Sequence, residues 1–403
     1  MQGLAVDRAA LGTVADARLR AARRLLLGPA GQTVGALVLA LLISAVADFR
    51  HPAGIAAHLV AELLLAGLLT LGVHEMGHLL GGYLAGFEIA YLVIGPLKVE
   101  ADEHGLATGI NDSPDCYGSV VGMPAGGEDL TRRAATMLVG GAVANLLLAL
   151  ALLLADSAFR AGFVTHLFLR LPAAVSLLTA VAALIPWQRG GALSDGAWLL
   201  KILAGGAVAE RACALWVLLG LARLGRRPRA WAAVWVERAL ALKDGSADDV
   251  LASNLAYYWA LDRRSVGWAG EYLERAFRAG DRAPAPVRIG IDIEAGFYAA
   301  HFEQDAETGR AFLDRARAAI ADLSLPAAAA DRAAAALHLD LLRAEAAVLL
   351  AEHRHAEAYL AASRWLALRE ETPAPLPGVS TAVRDWVRAI VAASAPGGGD
   401  AGR

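Results

Sequence analysis

Charged residues are distributed very unevenly along this chain of 403 residues. Asp, Glu, Lys and Arg are absent from three long stretches, 25–47, 134–155 and 171–188. A further apolar stretch, 54–85, carries only two formal charges. A helix of about 20 apolar residues is long enough to cross the hydrocarbon core of a membrane. The pattern therefore predicts a polytopic core of about four membrane-spanning helices, at 25–47, 54–85, 132–156 and 163–187.

The segment 86–131 has a different pattern from the apolar stretches around it. Its first part, FEIAYLVIGPLKVEA, alternates β-branched and aromatic residues, and Asn, Asp, Pro and Gly accumulate after it. Alternation of this kind is typical of short strands, and the residues that follow are typical of turns. We therefore predict a small β-rich insertion of two to four strands within the helical core.

The last part of the chain carries a charge every few residues and contains a weak internal repeat. Two segments align at an offset of 40, which places Leu273 on Leu313, and a third segment fits with Leu360 at the same position. Paired helices with alanines at their crossings are typical of helical arrays. We predict a soluble helical-repeat domain of the tetratricopeptide type over 229–392. The alternative is an alanine-rich bundle without repeats.

Arginines flank the apolar stretches asymmetrically. Five of them precede the first stretch, and Arg50 alone follows it. The positive-inside rule then places both termini and the segment 86–131 in the cytoplasm of a multi-pass protein of the cell membrane. The predicted fold class is mainly α, with a membrane-embedded core at 25–205. The other predicted segments are a cytoplasmic lead-in at 1–24, an interfacial helix or linker at 206–228 and a disordered tail at 393–403.

Composition narrows the class of protein further. Hydrophobic residues make up 57% and charged residues 19% of the chain, which indicates that much of it contacts the lipid bilayer. A net charge of −3 provides no basic field, so we expect no nucleic-acid partner. The two cysteines, Cys116 and Cys213, are too few for a disulfide framework or a cysteine-rich metal site.

The second apolar stretch contains the sequence HEMGH, from His74 to His78. Residues i and i+4 lie on one face of a helix, so both imidazoles can bind one metal ion. Glu75, directly after the first histidine, can reach a water molecule at that metal. A pair of buried structural histidines is the alternative. Burying two histidines and a glutamate in an apolar span is costly without a function, which favours the metal site.

A third ligand should lie at the depth of His74, near the cytoplasmic end of its span. Asp195 emerges on that side directly after the fourth predicted span, within LIPWQRGGALSDGAWLL. The alternative role for Asp195 is to cap the N-terminus of the following helix. Glu62 and His58 lie towards the opposite membrane surface, so they are poorer candidates.

Three motifs in this order resemble the site-2 protease family of intramembrane zinc metallopeptidases. They are HEMGH in a membrane helix, GAVAN in the third span, and Pro186 with the later pair Asp195-Gly196 after the fourth span. The resemblance covers about residues 55–205. It implies that Zn²⁺ is bound by His74, His78 and Asp195, that Glu75 activates water, and that Asn145 faces the active site.

Asn145, the last residue of GAVAN, has two interpretations. Its amide can donate a hydrogen bond to the oxyanion that forms during peptide hydrolysis, which would make it catalytic. Together with Gly140 and Gly141 it also fits a helix-packing face in which an amide provides a polar contact. The two roles are compatible.

The resemblance implies a zinc-dependent intramembrane endopeptidase, a hydrolase of regulated intramembrane proteolysis. Its substrate would be a transmembrane or membrane-adjacent segment of another membrane protein. Such a helix must unwind locally, and we expect Ile89–Leu97 to hold it by strand addition. The C-terminal repeats would dock a cytoplasmic protein partner.

Two other functions remain open. A catalytically silent relative would act as a membrane adaptor through its repeats; Ala183, which stands where the family usually has Asn, favours it. A metal or proton transporter would use Glu62 and His58 with the HEMGH residues, but the chain lacks a matching pair of interrupted helices in two halves.

Overall fold

The computed structural model describes residues 52–102, 105–111, 117–124, 129–158, 163–189, 192–280, 283–323, 327–371, 374 and 376–395. The predicted lead-in at 1–24, the predicted first span at 25–47 and most of the predicted tail at 393–403 lie outside these residues. The chain is mainly helical with a small antiparallel sheet, as predicted. It divides into two compact units, with the boundary between Leu203 and Ala204.

The described residues of the first unit form four α-helices and the sheet. The helices are α1 (Pro52–Leu84), α2 (Leu130–Ala158), α3 (Phe163–Leu184) and α4 (Asp195–Leu203). Gly77 of α1 and Gly140 of α2 face each other so closely that a Cβ on either would overlap the carbonyl oxygen of the other. Small residues at a helix crossing allow this close approach, which brings the HEMGH turn of α1 against the GAVAN turn of α2.

Two helices in the described part of the chain are long and apolar enough to cross a membrane, Ala53–Leu84 and Leu130–Ala158. They match the spans predicted at 54–85 and 132–156. Only 22% of the most apolar window of the first and 33% of that of the second is buried within the protein. The predicted fourth span, at 163–187, corresponds to α3. Its segment Phe168–Leu184 is apolar but shorter than a full span, so the four-span core stays a prediction.

The segment 86–131 forms the predicted strands. They are β1 (Phe87–Ile94), β2 (Leu97–Asp102), β3 (Gly105–Ile110) and β4 (Gly118–Pro124), all antiparallel in the order β3-β2-β1-β4. Strand β1 is interior, because Leu92 pairs with Val99 of β2 on one side and with Val120 of β4 on the other. Our expectation that Ile89–Leu97 accepts an added strand is therefore wrong. Within this four-stranded sheet, the edge strands are β3 and β4.

In the part of the second unit that the structure describes, there are nine α-helices and a short 3-10 helix, Pro228–Ala230. The α-helices are α5 (Gly206–Arg223), α6 (Ala233–Leu240), α7 (Ala247–Asp262), α8 (Val266–Ala279), α9 (Ala285–Phe302), α10 (Ala306–Ala321), α11 (Ala327–Ala351), α12 (His355–Glu371) and α13 (Pro377–Ser394). We predicted an interfacial helix or linker at 206–228. In the structure, Leu215 and Leu218 of α5 belong to the hydrophobic core of this unit.

Three consecutive helix pairs of this unit share one kind of turn, which connects the two helices within each pair. Arg264, Gln304 and His353 each have a positive φ between the two helices of a pair. These turns repeat first after 40 residues, as the sequence alignment predicts, and then after 49. The third repeat segment of our sequence alignment was therefore placed two positions out of register. Leu360 is 66% exposed, whereas Ala362, at the offset of 49 from the buried Leu313, is buried.

Helix α5 is largely apolar but carries a buried charged residue, Arg211. Its guanidinium is buried and donates two hydrogen bonds of 2.9 Å to the carboxylate of Asp244. This bidentate bond holds the pKa of Asp244 well below its usual range. The charge that interrupts the apolar pattern thus forms an ion pair that links α5 to the segment containing Asp244 within the second unit.

Replacing Arg211 by Ala should destabilise the second unit by about 1–3 kcal/mol, because it removes the buried partner of this pair and its two hydrogen bonds to Asp244. Arg278→Ala is the matched control, since the Arg278 side chain is 71% exposed and pairs with an exposed glutamate. That change should cost less than about 0.5 kcal/mol. Urea unfolding of the purified variants measures both values. Equal effects of the two substitutions would contradict a stabilising role of Arg211.

Candidate metal centre

The structure places both histidines of HEMGH on one face of α1, as the i, i+4 spacing predicts. Each is only 8% exposed. Their ring centroids lie 4.7 Å apart with the rings nearly perpendicular, and the two Nε2 atoms are separated by 3.1 Å. Two unprotonated nitrogens this close can share one metal ion.

Asp195 completes this group. Its Oδ2 lies 3.1 Å from Nε2 of His74 and 3.2 Å from Nε2 of His78. Burial disfavours the ionised carboxyl group, but the interactions with the two neighbouring imidazoles outweigh this cost and lower the pKa of Asp195 to about 2. Asp195 is therefore ionised at neutral pH, which is the form that binds metals.

A hairpin brings Asp195 back to the end of α3. Strands β5 (Gln188–Arg189) and β6 (Ala192–Leu193) pair and return the chain towards Ile185. There the hydroxyl group of Ser194 donates to the Ile185 carbonyl (2.8 Å) and accepts from the amide of Ala197 (3.1 Å). Ser194 is thus the residue that caps α4. The carboxylate of Asp195 does not serve as this cap, so it is available to the two histidines.

The three donor atoms fit a zinc ion. Tetrahedral zinc, with bonds of about 2.0–2.1 Å, places its ligand atoms roughly 3.3 Å apart. The distances among the two Nε2 atoms and Oδ2 are 3.1–3.2 Å. These three residues form the one group of three or more potential ligands found in the described part of the chain. Two imidazoles and one carboxylate leave a fourth position for water, as in catalytic zinc sites.

The surroundings of the imidazoles hold them in place. His78 donates from Nδ1 to the carbonyl oxygen of Met137 at 2.8 Å, which leaves its Nε2 unprotonated for a metal. Gly141 of α2 lies against both rings. A Cβ at this position would stand 2.6 Å from Nε2 of His78 and 2.8 Å from Nε2 of His74. The histidines therefore require glycine at position 141.

Glu75 is buried beside the first histidine. Its carboxylate lies against Gly118, at the start of the edge strand β4, where the Cβ of any other residue would overlap it. Helix α1 thus places a buried carboxylate next to His74 and against the first residue of strand β4. A carboxylate beside the candidate metal ligands can act as a general base towards a water molecule bound there.

Asn145 is also brought to the site, but on the far side of His74. Its Nδ2 lies 3.1 Å from Nδ1 of His74, and the Ser176 hydroxyl group of α3 donates to its Oδ1 at 3.4 Å. Both Asn145 and Ser176 are fully buried. The amide therefore contacts the His74 ring at Nδ1, which is the nitrogen that does not face Asp195.

Glu62 and His58 lie away from this centre, as expected. Glu62 precedes His74 by 12 residues, which is about 18 Å along a helix. Its carboxylate is buried, and neither oxygen has a hydrogen-bond partner among the described residues. The two residues are not ligands of the candidate metal centre.

Sequence analysis did not predict the roles of three residues at the site. Ser194 and Ser176 were not named, and Gly141 was named for helix packing but not for its contact with the imidazoles. A signal for Ser194 was present, because Ser followed by Asp-Gly and an apolar run is typical of a helix N-terminus. The other two had none, because their roles depend on contacts between different helices.

Comparison of the chain with protein-family models, with curated proteins and with solved structures gives no match. What this site can do therefore follows from its own residues and their geometry.

Proposed function

We propose that this protein is a zinc-dependent intramembrane endopeptidase. One observation carries the proposal: His74, His78 and Asp195 place three metal-binding atoms within 3.2 Å of one another, next to the buried carboxylate of Glu75. The resemblance of the same residues to the motifs of the site-2 protease family supports it. Zinc sites with two His and one carboxylate, and a neighbouring Glu as base, are typical of peptide hydrolases.

The apolar outer surface of the first unit supports a location in the membrane. On α2 the exposed residues Val143, Leu146, Leu147, Leu150, Leu153 and Leu154 repeat with the period of a helix. In a water-soluble protein such a stripe faces the core. Here it faces outward, which is what a lipid environment favours. We propose that the chain is a multi-pass protein of the cell membrane with both termini in the cytoplasm; reporter fusions at each terminus test this topology.

The chemistry divides between the metal and the chain. Bound zinc would polarise the scissile carbonyl group and make the attacking water more acidic. Glu75 would accept the proton of that water and pass it to the nitrogen of the leaving amine. Asp195 and the two histidines would hold the ion beside Glu75.

The substrate we propose is a transmembrane or membrane-adjacent segment of another membrane protein. A helix conceals its carbonyl groups in hydrogen bonds, so the segment must unwind before cleavage. Strand β4 is an edge strand of the sheet, and its first residue, Gly118, contacts Glu75. An unwound segment added to β4 would pass the general base, which makes β4 the binding edge in place of the interior strand β1.

The second unit would serve as a docking module. Its three helix pairs, with equivalent turns at Arg264, Gln304 and His353, support an array of helical repeats that recruits a cytoplasmic protein partner. In the alternative function, which Ala183 favours, the protein is a membrane adaptor that docks a partner in the same way but has no catalytic activity. Measuring cleavage of a membrane substrate by the purified protein separates the two.

The proposal predicts one zinc ion per chain in the purified protein. Asp195→Ala should weaken zinc binding at least about 100-fold, because it removes one of three protein ligands. Elemental analysis gives the stoichiometry, and competition with a chelator gives the affinity. Glu62→Gln is the control, because it changes a buried carboxylate of the same unit away from the centre and should leave zinc binding unchanged. A protein that takes up no zinc would contradict the metal centre.

A further inference from the structure

The buried amide of Asn145 lies on the opposite side of the His74 ring from Asp195. Nδ2 of Asn145 is 3.1 Å from Nδ1 of His74, whereas Oδ2 of Asp195 is 3.1 Å from Nε2. An imidazole that binds a metal through Nε2 cannot carry a proton there. In neutral histidine the proton then resides on Nδ1, so Nδ1 must donate a hydrogen bond.

The partner of a donating Nδ1 must be an acceptor. The nitrogen of an amide side chain donates only, whereas its oxygen accepts. Rotation of the Asn145 amide by 180° exchanges the two atoms with little change in position. Oδ1 then accepts from His74, and Nδ2 donates to the hydroxyl oxygen of Ser176. The contact between Ser176 and Asn145, 3.4 Å in length, fits this arrangement as well as the reverse one.

We propose that Asn145 and Ser176 are positioning residues that set the proton of His74. Ser176 holds the amide, the amide oxygen accepts the Nδ1 proton, and Nε2 is thereby left free for the metal. The inference rests on the proposed metal centre and changes the expected role of Asn145. The amide is separated from the metal position by the width of the imidazole, so it does not reach a reacting carbonyl group as an oxyanion donor.

The test compares variants that keep or remove the acceptor. In Asn145→Ala the Nδ1 proton has no partner, and zinc affinity should fall about 10–100-fold. Asn145→Asp offers only acceptor oxygens, so it should bind zinc within a few-fold of wild type or more tightly. Ser176→Ala should weaken binding less, in the same direction. Thr179→Ala is the control, because Thr179 is also on α3 but donates to the Val175 carbonyl of its own helix.

Zinc affinity is measured by competition with a chelator on the full-length protein in detergent, with circular dichroism to confirm that each variant is folded. Wild-type affinity in Asn145→Ala would overturn the inference. Equal losses in Asn145→Ala and Asn145→Asp would show that the amide acts as a donor, which also overturns it. Both results leave the metal centre intact. If the wild-type protein binds no zinc, the proposed function fails first and the inference fails with it.

Discussion

Replacing Glu75 by Gln should leave the fold and the bound metal intact while lowering the rate of peptide cleavage by about 10²–10⁴-fold. The amide has nearly the same shape as the carboxylate, but it cannot accept the proton of the attacking water. Zinc affinity should stay within a few-fold of wild type, because Glu75 is not among the three residues whose donor atoms meet. Cleavage of a transmembrane substrate in detergent and zinc content measure the two effects separately.

Glu62→Gln is the matched control for this substitution. It makes the same chemical change at another buried glutamate of α1, which the structure places away from the metal centre. We expect it to cleave at the wild-type rate. Normal cleavage by Glu75→Gln would reject the protease mechanism, and loss of zinc from that variant would instead make Glu75 a ligand.

Replacing Gly141 by Ala should abolish zinc binding although no ligand is changed. The added methyl group would stand 2.6 Å from Nε2 of His78 and 2.8 Å from both Nε2 and Cε1 of His74. These distances are shorter than van der Waals contact, so at least one imidazole must move. We expect zinc affinity to fall at least about 100-fold, and cleavage to be lost with it.

Gly67→Ala is the control for the added methyl group. Gly67 lies on α1 of the same unit, and a Cβ there meets no atom within 4 Å. Alanine should be tolerated at this position and should favour the helix by up to about 1 kcal/mol. Chelator competition on both variants checks the difference. Tight zinc binding by Gly141→Ala would show that the imidazoles have room that the geometry denies them.

The part of the site that lies on one helix was predictable from the sequence alone. His74 and His78 share a face because residues i and i+4 always do so on a helix. Their burial in an apolar stretch already indicated a function. Asp195 was also within reach of sequence reasoning, because its position after a predicted span set its depth. The strands of 86–131 were predictable from alternation, which is a local property.

The roles that depend on which elements become neighbours were decided only by the tertiary structure. Asn145 was placed at the site from its motif, but the side of His74 that it contacts depends on the packing of α2 against α1. Strand β1 is interior because β2 and β4 pair on both of its sides, and no local pattern records strand order. Arg211 interrupts the apolar pattern of α5, and only the structure shows that it forms an ion pair with Asp244.

The physical reason is the range of the interactions involved. Helix periodicity, strand alternation and apolar length depend on neighbours within a few residues, so the sequence by itself determined the helical class, the β-rich insertion and the shared face of the two HEMGH histidines. The contacts of His74 with Asn145 and Asp195 join residues 71 and 121 positions apart. The contact with Asn145 forms because α1 and α2 pack closely at glycines, and the contact with Asp195 forms because a hairpin returns the chain to the end of α3.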